Sequence, residues 1–434
     1  MDKMADVLGR AGAWCGQNKY LSAIKNAFQN FMPLTIAGAI GVLWCNVLVN
    51  DQTGLGLFFK PIMALDFLNP AFQAVNFCTI SCITVGITLG IAQEIGVWNM
   101  GAERAGYIPG LVGLAAWLSV TNTSHMVEGA KEAFTGIAGN ELGATGLFTG
   151  MIIGVLSVEL FCFFEKQDAL KIKMPEQVPP GVARAFEVLV PATITLIITA
   201  CIGSACYNLT GLYLNDVIKN GIQGPLGAVG ATIPGVMIIY LVIMLFWLVG
   251  IHGNNMLSAV KEALFTPLAL ENVEAFNKGE TPKNIINMYA LQMWGEFGGS
   301  GVTIGLVIAI MIFGKREDNK AIATLSLVPG LFNINETVTF GIPMVLNPIL
   351  GIPFVVAPLV TIIIGYVLTV IGFCPVACLT VPWTTPPIVF GFLATGANVM
   401  GAVTQAILIV VSTVIYVPFL ISYEKYQNKQ AAEA

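Results

Sequence analysis

Glu336 stands where an acid is costly. The stretch 329–348 reads Pro-Gly-Leu-Phe-Asn-Ile-Asn-Glu-Thr-Val-Thr-Phe-Gly-Ile-Pro-Met-Val-Leu-Asn-Pro. It sets Asn333, Asn335 and Glu336 in apolar sequence, among the breakers Pro329, Gly330, Gly341 and Pro343. An apolar helix has no need of this composition. A polar site at membrane depth does, because irregular backbone is tolerated in a bilayer only inside protein or along a wet cavity. An intramembrane acid is read first as functional; the competing reading is an acid that merely pairs with a cation on a neighbouring helix. As chemistry, a carboxylate accepts bidentate hydrogen bonds from vicinal hydroxyls, and carboxamides both donate and accept.

Two further stretches carry matching chemistry. In 247–257, Trp247 and His252 are followed by Gly253, Asn254 and Asn255. Imidazole and carboxamides suit sugar hydroxyls, although Gly-Asn after an apolar run also suits a helix C-cap with His near the negative end of the dipole. In 381–388, Trp383 offers a flat apolar face for a pyranose ring, with Thr384 and Thr385 beside it. The alternative there is a proline-broken turn with an interfacial tryptophan. Acid, amides and an aromatic plate without excess cations favour a neutral polyhydroxylated ligand over an anion. Glu296, in Trp294-Gly-Glu-Phe-Gly-Gly299, is a second-tier candidate for the same site. Glu159 reads as a helix-packing or dimer contact, Asn140-Glu141 precedes Gly143, and His125 beside Asn122 and Glu128 reads as a loop residue. Nine cysteines are scattered, and Cys374 and Cys378 sit four apart without a second pair or a histidine nearby. No metal, disulfide or cofactor is expected from that pattern.

The elements that must position these groups are membrane helices. The chain is 56% hydrophobic and 10% charged, with mean hydropathy +0.79, against about 25% charged in soluble domains. The net charge of -5 says little of partners. It has no basic patch for nucleic acid, and orientation follows where Lys and Arg lie. The expected fold is an all-α polytopic membrane protein of about ten transmembrane helices plus re-entrant hairpins. Residues 1–30 alternate basic and apolar positions as an amphipathic helix, and no cleavable signal is read there. Spans are expected at about 31–49, 74–92, 105–121, 145–164, 188–207, 233–250, 298–313, 350–373 and 398–421. The basic segments 165–184 and 314–320 and both termini are placed in the cytoplasm. That needs one more crossing within 257–297, or one span that is not simple. Three segments, 251–295, 322–340 and 379–396, are too short or too polar for ordinary spans and point to re-entrant hairpins around a midplane site. The expected division is a packing or dimerisation domain over 31–214, a substrate domain over 215–422 and a cytoplasmic tail over 423–434.

Trp247 to Asn255, the run Phe332 to Pro348 and Pro382-Trp-Thr-Thr-Pro-Pro387 together resemble the membrane-spanning enzyme IIC permeases of the bacterial phosphoenolpyruvate-dependent sugar phosphotransferase system. Within them the likeness is to the lactose/cellobiose branch, diacetylchitobiose/cellobiose type, and it covers essentially the whole chain. The Asn-Ile-Asn-Glu segment is its most diagnostic part. The resemblance implies a homodimeric inner-membrane permease that binds a β-linked disaccharide, with His252 and Glu336 as the catalytic pair near the hydroxyl on the sixth carbon. The residue chemistry above adds Trp247, Asn254, Asn255, Glu296, Asn333, Asn335, Trp383 and Thr384 to His252 and Glu336 as expected substrate-binding residues. The phosphoryl donor would be a phosphocysteine on a separate cytoplasmic IIB protein, charged through IIA, so the chemistry is shared between the permease and IIB. One departure is Thr337, where many relatives carry proline, and the detailed bend of the hairpin is not carried over.

The sequence holds no Walker-type Gly-Lys-Ser/Thr loop or kinase signature. The residues would therefore position an acceptor hydroxyl rather than make phosphate themselves. An ion-coupled secondary sugar transporter is the alternative reading, since broken helices and midplane acids fit it too. A passive channel lacks its repeated ring of filter residues.

Overall fold

The computed structural model describes residues 10, 13–14, 17–51, 55–125, 133–175, 177–342 and 344–433. Most of the expected amphipathic segment before residue 17, Cys15, Glu128 and Pro343 lie outside these residues. The chain is overwhelmingly helical, and each of the nine expected apolar runs falls on helix. Among the described residues six helices are long and apolar enough to cross a membrane, or seven if the pair Met288–Val302 and Ile304–Phe313, bent by 59°, is one span. This is a multi-pass membrane protein. The helix Lys19–Leu43 runs through residue 30 without a break.

The chain forms two compact units. One holds Gln17–Thr35 and Phe77–Gly227. Its centre is the helix Ala144–Glu165 packed with Ile83–Met100 and Ile108–Val120, and Trp117 is fully enclosed among Ala116, Val120 and Ile153. Small residues at these faces let backbones approach closely, which replaces the missing hydrophobic drive between helices in lipid. At one end Glu165, 2% exposed, accepts from both Arg104 (2.9 Å) and Arg184 (2.9 Å). Glu159 pairs with Lys19 at 2.6 Å. That is a contact within the unit. His125 lies in a two-stranded antiparallel ribbon, Ser124–His125 against Phe134–Thr135, with Ser124 opposite Thr135.

The other unit holds the described residues of Ile36–Asn76 and Ala228–Ala434. Its core joins Tyr240, Trp247, Phe265, Trp294, Phe297 and Phe354, all at most 2% exposed. The three segments set apart by composition behave differently from one another. The stretch 322–340 is a hairpin: helix Glu317–Leu331, a turn, then the short helix Glu336–Gly341. The stretch 379–396 is irregular up to the short helix Val389–Ala394. The stretch 251–295 is far less broken than expected. A single helix, Gly253–Asn277, runs through Pro267, and only then does an irregular link lead to Met288–Gly295. The helix is more polar than the membrane-spanning ones, with Lys261, Glu262, Glu271 and Glu274 along it. The long helix Val399–Glu433 packs against Ile304–Phe313, Gly351–Val370 and Val389–Ala394.

Candidate functional site

The hairpin is built around Asn333. Helix Glu317–Leu331 ends where the N–H groups of Phe332 and Ile334 turn back to the Pro329 carbonyl, at 2.9 and 3.0 Å. Asn333 then takes φ +63°, a left-handed conformation that Asn tolerates better than most side chains. Its carboxamide is fully used. Oδ1 accepts from the Gly298 N–H at 2.6 Å, and Nδ2 donates to the carbonyls of Trp383 (2.5 Å) and Thr385 (3.1 Å). Asn335 is buried, and its Nδ2 donates to the Ser300 carbonyl and to Thr339 Oγ1, each at 3.0 Å. It sits so close to Gly299, φ +87°, that a Cβ there would meet the Asn335 Cβ at 2.6 Å. Asn333 therefore spends its whole carboxamide on protein and Asn335 its amide nitrogen, and what they present is the next residue. Glu336 opens the short helix with its side chain 46% exposed, and its carboxylate takes no hydrogen bond from any described residue.

His252 reaches the same place from another element. Helix Ile233–Leu248 stops, Gly250 turns the chain at φ +81°, and His252 begins the next helix. The expected C-cap alternative is replaced by its opposite: His252 is the N-cap of Gly253–Asn277, and its Nδ1 accepts from the Asn255 N–H at 3.3 Å. A side-chain acceptor there satisfies one of the free N–H groups of the first turn. With Nδ1 accepting, the neutral ring carries its proton on Nε2. That nitrogen faces Glu336 Oε1 at 3.7 Å, too far for a direct hydrogen bond. Gly253 is required by packing, since a Cβ would lie 2.0 Å from the Ile243 carbonyl oxygen. Behind the imidazole stands Trp247, ring centroids 4.4 Å apart. At 2% exposure Trp247 supports His252 from the core. The Leu346 N–H donates to the Leu248 carbonyl at 2.8 Å, which ties the segment after the hairpin to the end of helix Ile233–Leu248.

Trp383 is 43% exposed and Thr384 half-buried, on the loop that Asn333 pins. Asn255 is exposed and contributes its main-chain N–H. Asn254 is half-buried, with Oδ1 enclosed and unpartnered. Glu296 is not free: Tyr240 Oη donates to its Oε1 at 2.6 Å, and Lys261 pairs with the same oxygen. The structure thus brings His252 and Glu336 face to face, hangs the Trp383 loop on Asn333, and places Trp247 beneath.

Three side chains on the last helix were not singled out by sequence. Gln405 accepts from the N–H groups of Ile388 (2.7 Å) and Gly391 (2.8 Å) and donates to the Met293 carbonyl (3.2 Å). Tyr416 Oη donates to the Gly301 carbonyl at 2.7 Å. Glu424 accepts from the backbone N–H groups of Lys315 and Arg316 and from Asn319. A lone glutamine inside the apolar run 399–421 was the one visible signal.

A sequence model of the family described as phosphotransferase system, EIIC, matches residues 25–358. The oligo-beta-mannoside-specific EIIC component of Bacillus subtilis (strain 168) is 33% identical over 429 residues, 98% of this chain and 94% of that one. The cellobiose-specific EIIC component of Lactococcus lactis subsp. lactis (strain IL1403) is 30% identical, covering 98% of each chain. The crystal structure of the transporter ChbC, the IIC component from the N,N'-diacetylchitobiose-specific phosphotransferase system, superimposes with a TM-score of 0.88 at 30% identity, covering 97% of each chain. With sequence and fold matched over nearly the full length, the chain belongs to the EIIC family of the phosphotransferase system.

Proposed function

We propose that this chain is the sugar-transporting IIC subunit of a bacterial phosphotransferase system. It binds a β-linked disaccharide such as diacetylchitobiose or cellobiose, carries it across the inner membrane and presents its C6 hydroxyl to a separate phosphocysteine IIB protein, itself charged by IIA. Family membership supports the system, and the names of the relatives support the substrate class. The observation that carries the site is the His252–Glu336 gap of 3.7 Å between two partly exposed side chains. A hydroxyl oxygen beside that gap sits within about 2.8 Å of both groups. It accepts from Nε2–H and donates to Glu336. Trp383 stacks on a ring, with Asn254, Asn255 and Thr384 at the edge.

In the transfer step the C6 oxygen attacks phosphorus, the S–P bond breaks as the O–P bond forms, and the cysteine leaves as thiolate. Glu336 orients the hydroxyl and receives its proton. The first half, 31–214, packs and pairs two copies, while 215–422 holds the sugar between re-entrant hairpins. About ten crossings leave both termini cytoplasmic.

The test is Glu336→Gln, measured by equilibrium sugar binding and by sugar phosphate formation in vesicles given phosphorylated IIB. Loss of a charge-assisted bond lowers binding about tenfold or more. Phosphorylation falls further, toward the lower end of the about 10²–10⁴-fold typical of general-base help, since phosphoryl transfer is mainly positioning. Wild-type behaviour in both arms refutes the assignment. Uptake that ignores phosphoenolpyruvate and yields free sugar would return the ion-coupled reading.

A further inference from the structure

Glu141 takes no part in the sugar site. It lies on the short helix Gly139–Leu142, just before the long helix Ala144–Glu165, at the end away from the Glu165 ion pairs. The residue is 8% exposed, and its Oε2 is enclosed without a partner. No Lys, Arg or His among the described residues forms an ion pair with it. Burial pushes the carboxyl up; His125 and Asn215, which face it, work the other way, and Asp216 adds to the push.

Asn215 stands against Glu141 from the short helix Leu214–Ile218. Leu142 and Leu214, the chain neighbours of the two residues, pack on one cluster of Ala116, Trp117, Val120 and Ile153, and this shared footing brings the short helices together. Asn215 is 1% exposed, yet neither its Oδ1 nor its Nδ2 has a partner. A turn of π-helix, Lys219–Gln223, then carries Gln223 over the start of the long helix. Its Nε2 donates to the Ala144 carbonyl at 3.5 Å, and its Oε1 is left enclosed and unpartnered. Such wide turns are rare and recur at functional sites. Lys219, in the same turn, is directed to Thr145 Oγ1 at 3.5 Å.

Buried polar atoms are ordinarily satisfied, and an ionised carboxylate out of water needs a countercharge. Here an acid oxygen and two carboxamide oxygens are unclaimed within one of the two compact units. Carboxylate and carboxamide oxygens are the ligands of hard cations. One carboxylate among neutral amides balances a single positive charge. We propose that Glu141, Asn215 and Gln223 hold one alkali-metal cation, which ties the two short helices to the start of Ala144–Glu165. The site is separate from His252 and Glu336, and the proposal does not depend on the sugar reading.

The experiment melts the purified protein in detergent at fixed ionic strength, with sodium or potassium chloride replacing choline chloride stepwise. The melting temperature rises with the alkali cation and levels off, as for a ligand that binds only the folded form. Glu141→Gln keeps the shape, removes the charge and abolishes the dependence. Gln223→Met removes one ligand and moves the midpoint about tenfold higher in concentration. Equilibrium binding of radioactive sodium, displaceable by unlabelled sodium in the wild type and absent in Glu141→Gln, reads the site directly. A wild-type melting temperature equal in choline, sodium and potassium overturns the proposal, as does a cation dependence that survives in folded Glu141→Gln. If Glu141→Gln does not fold, an unmoved midpoint in Gln223→Met overturns it. Stabilisation by calcium alone also overturns it, since that ion calls for more carboxylates. Stabilisation by acid alone does the same: a carboxyl titrating above its ordinary range is neutral and stabilising at lower pH, the mark of a protonated Glu141 bonded to Asn215.

Discussion

Asn333 joins three loops through one carboxamide, and the cost of removing it can be sized. Asn333→Ala deletes the bond accepted from Gly298 and the two donated to Trp383 and Thr385. Side-chain hydrogen bonds between segments of membrane proteins average about 0.6 kcal/mol and reach about 1.7, so three of them give about 2 kcal/mol with a ceiling near 5. The backbone adds to this, because φ +63° suits Asn better than Ala, by about 1 kcal/mol. The total is about 3 kcal/mol, carried by the loops rather than by the packed core. Asn333→Asp keeps the acceptor for Gly298 and the tolerance of the left-handed turn. It loses both donors, however, and turns a carboxylate toward two carbonyls, so it is expected to be no milder than alanine. If sugar must re-order the freed Trp383 loop, about 2 kcal/mol passes into binding, an affinity loss of up to about thirtyfold. Calorimetric titration with cellobiose and thermal unfolding in detergent read the two effects. Wild-type affinity and melting in both variants would show that the pin holds nothing.

Three other outcomes are expected. Trp383→Ala weakens sugar binding by about 1–3 kcal/mol, the scale of burying one large apolar side chain, and Trp383→Phe retains part of it; normal affinity in a folded alanine variant would make it an interfacial residue only. Cysteines placed at Asp168, 81% exposed, and Lys320, 40% exposed, on a cysteine-free background are expected to react only with membrane-permeant reagents, as the distribution of Lys and Arg predicts for both segments; labelling by an impermeant reagent in intact cells overturns that topology. Glu424→Ala lowers stability by about 2–3 kcal/mol, since it strands the Lys315 and Arg316 N–H groups that a charged acceptor had satisfied; an unchanged melting temperature in detergent argues against the clamp.

The apolar runs were legible because a membrane helix announces itself locally, residue after residue. The hairpin at 322–340 was legible for the opposite reason: breakers and amides interrupt such a run. What a carboxamide bonds to was not legible. Asn333 and Asn335 read as sugar ligands, yet their partners are Gly298, Ser300, Trp383 and Thr385, up to 52 residues away in sequence. Trp247 read as a binding aromatic, but its indole is enclosed by residues on other elements, among them Phe354. At His252 the Gly-Asn motif marks a helix boundary in either direction. The polar residues Lys261, Glu262, Glu271 and Glu274 that follow made 251–295 look broken, when they lie along one helix. Gln405, Tyr416 and Glu424 act over 14 to 115 residues, and no local pattern encodes such distances.

The helix Val399–Glu433 also sets an order of assembly. Its staples at Gln405, Tyr416 and Glu424 grip the Ile388 loop, the Gly301 turn and the entry to the Glu317–Leu331 helix, and all three of those segments precede it in the chain. A ribosome adding about 5–20 residues per second delivers the loops seconds before the rod that fixes them. During that interval Ile388 and Gly391 lack the acceptor on Gln405, and the turn at Gly301 lacks Tyr416. A nascent chain arrested before residue 405 would have the segments of His252, Glu336 and Trp383 translated but not its last span, and would leave the backbone of Ile388, Gly391 and Gly301 without these partners. The loops that the last helix staples therefore reach their final form only once that one helix is made.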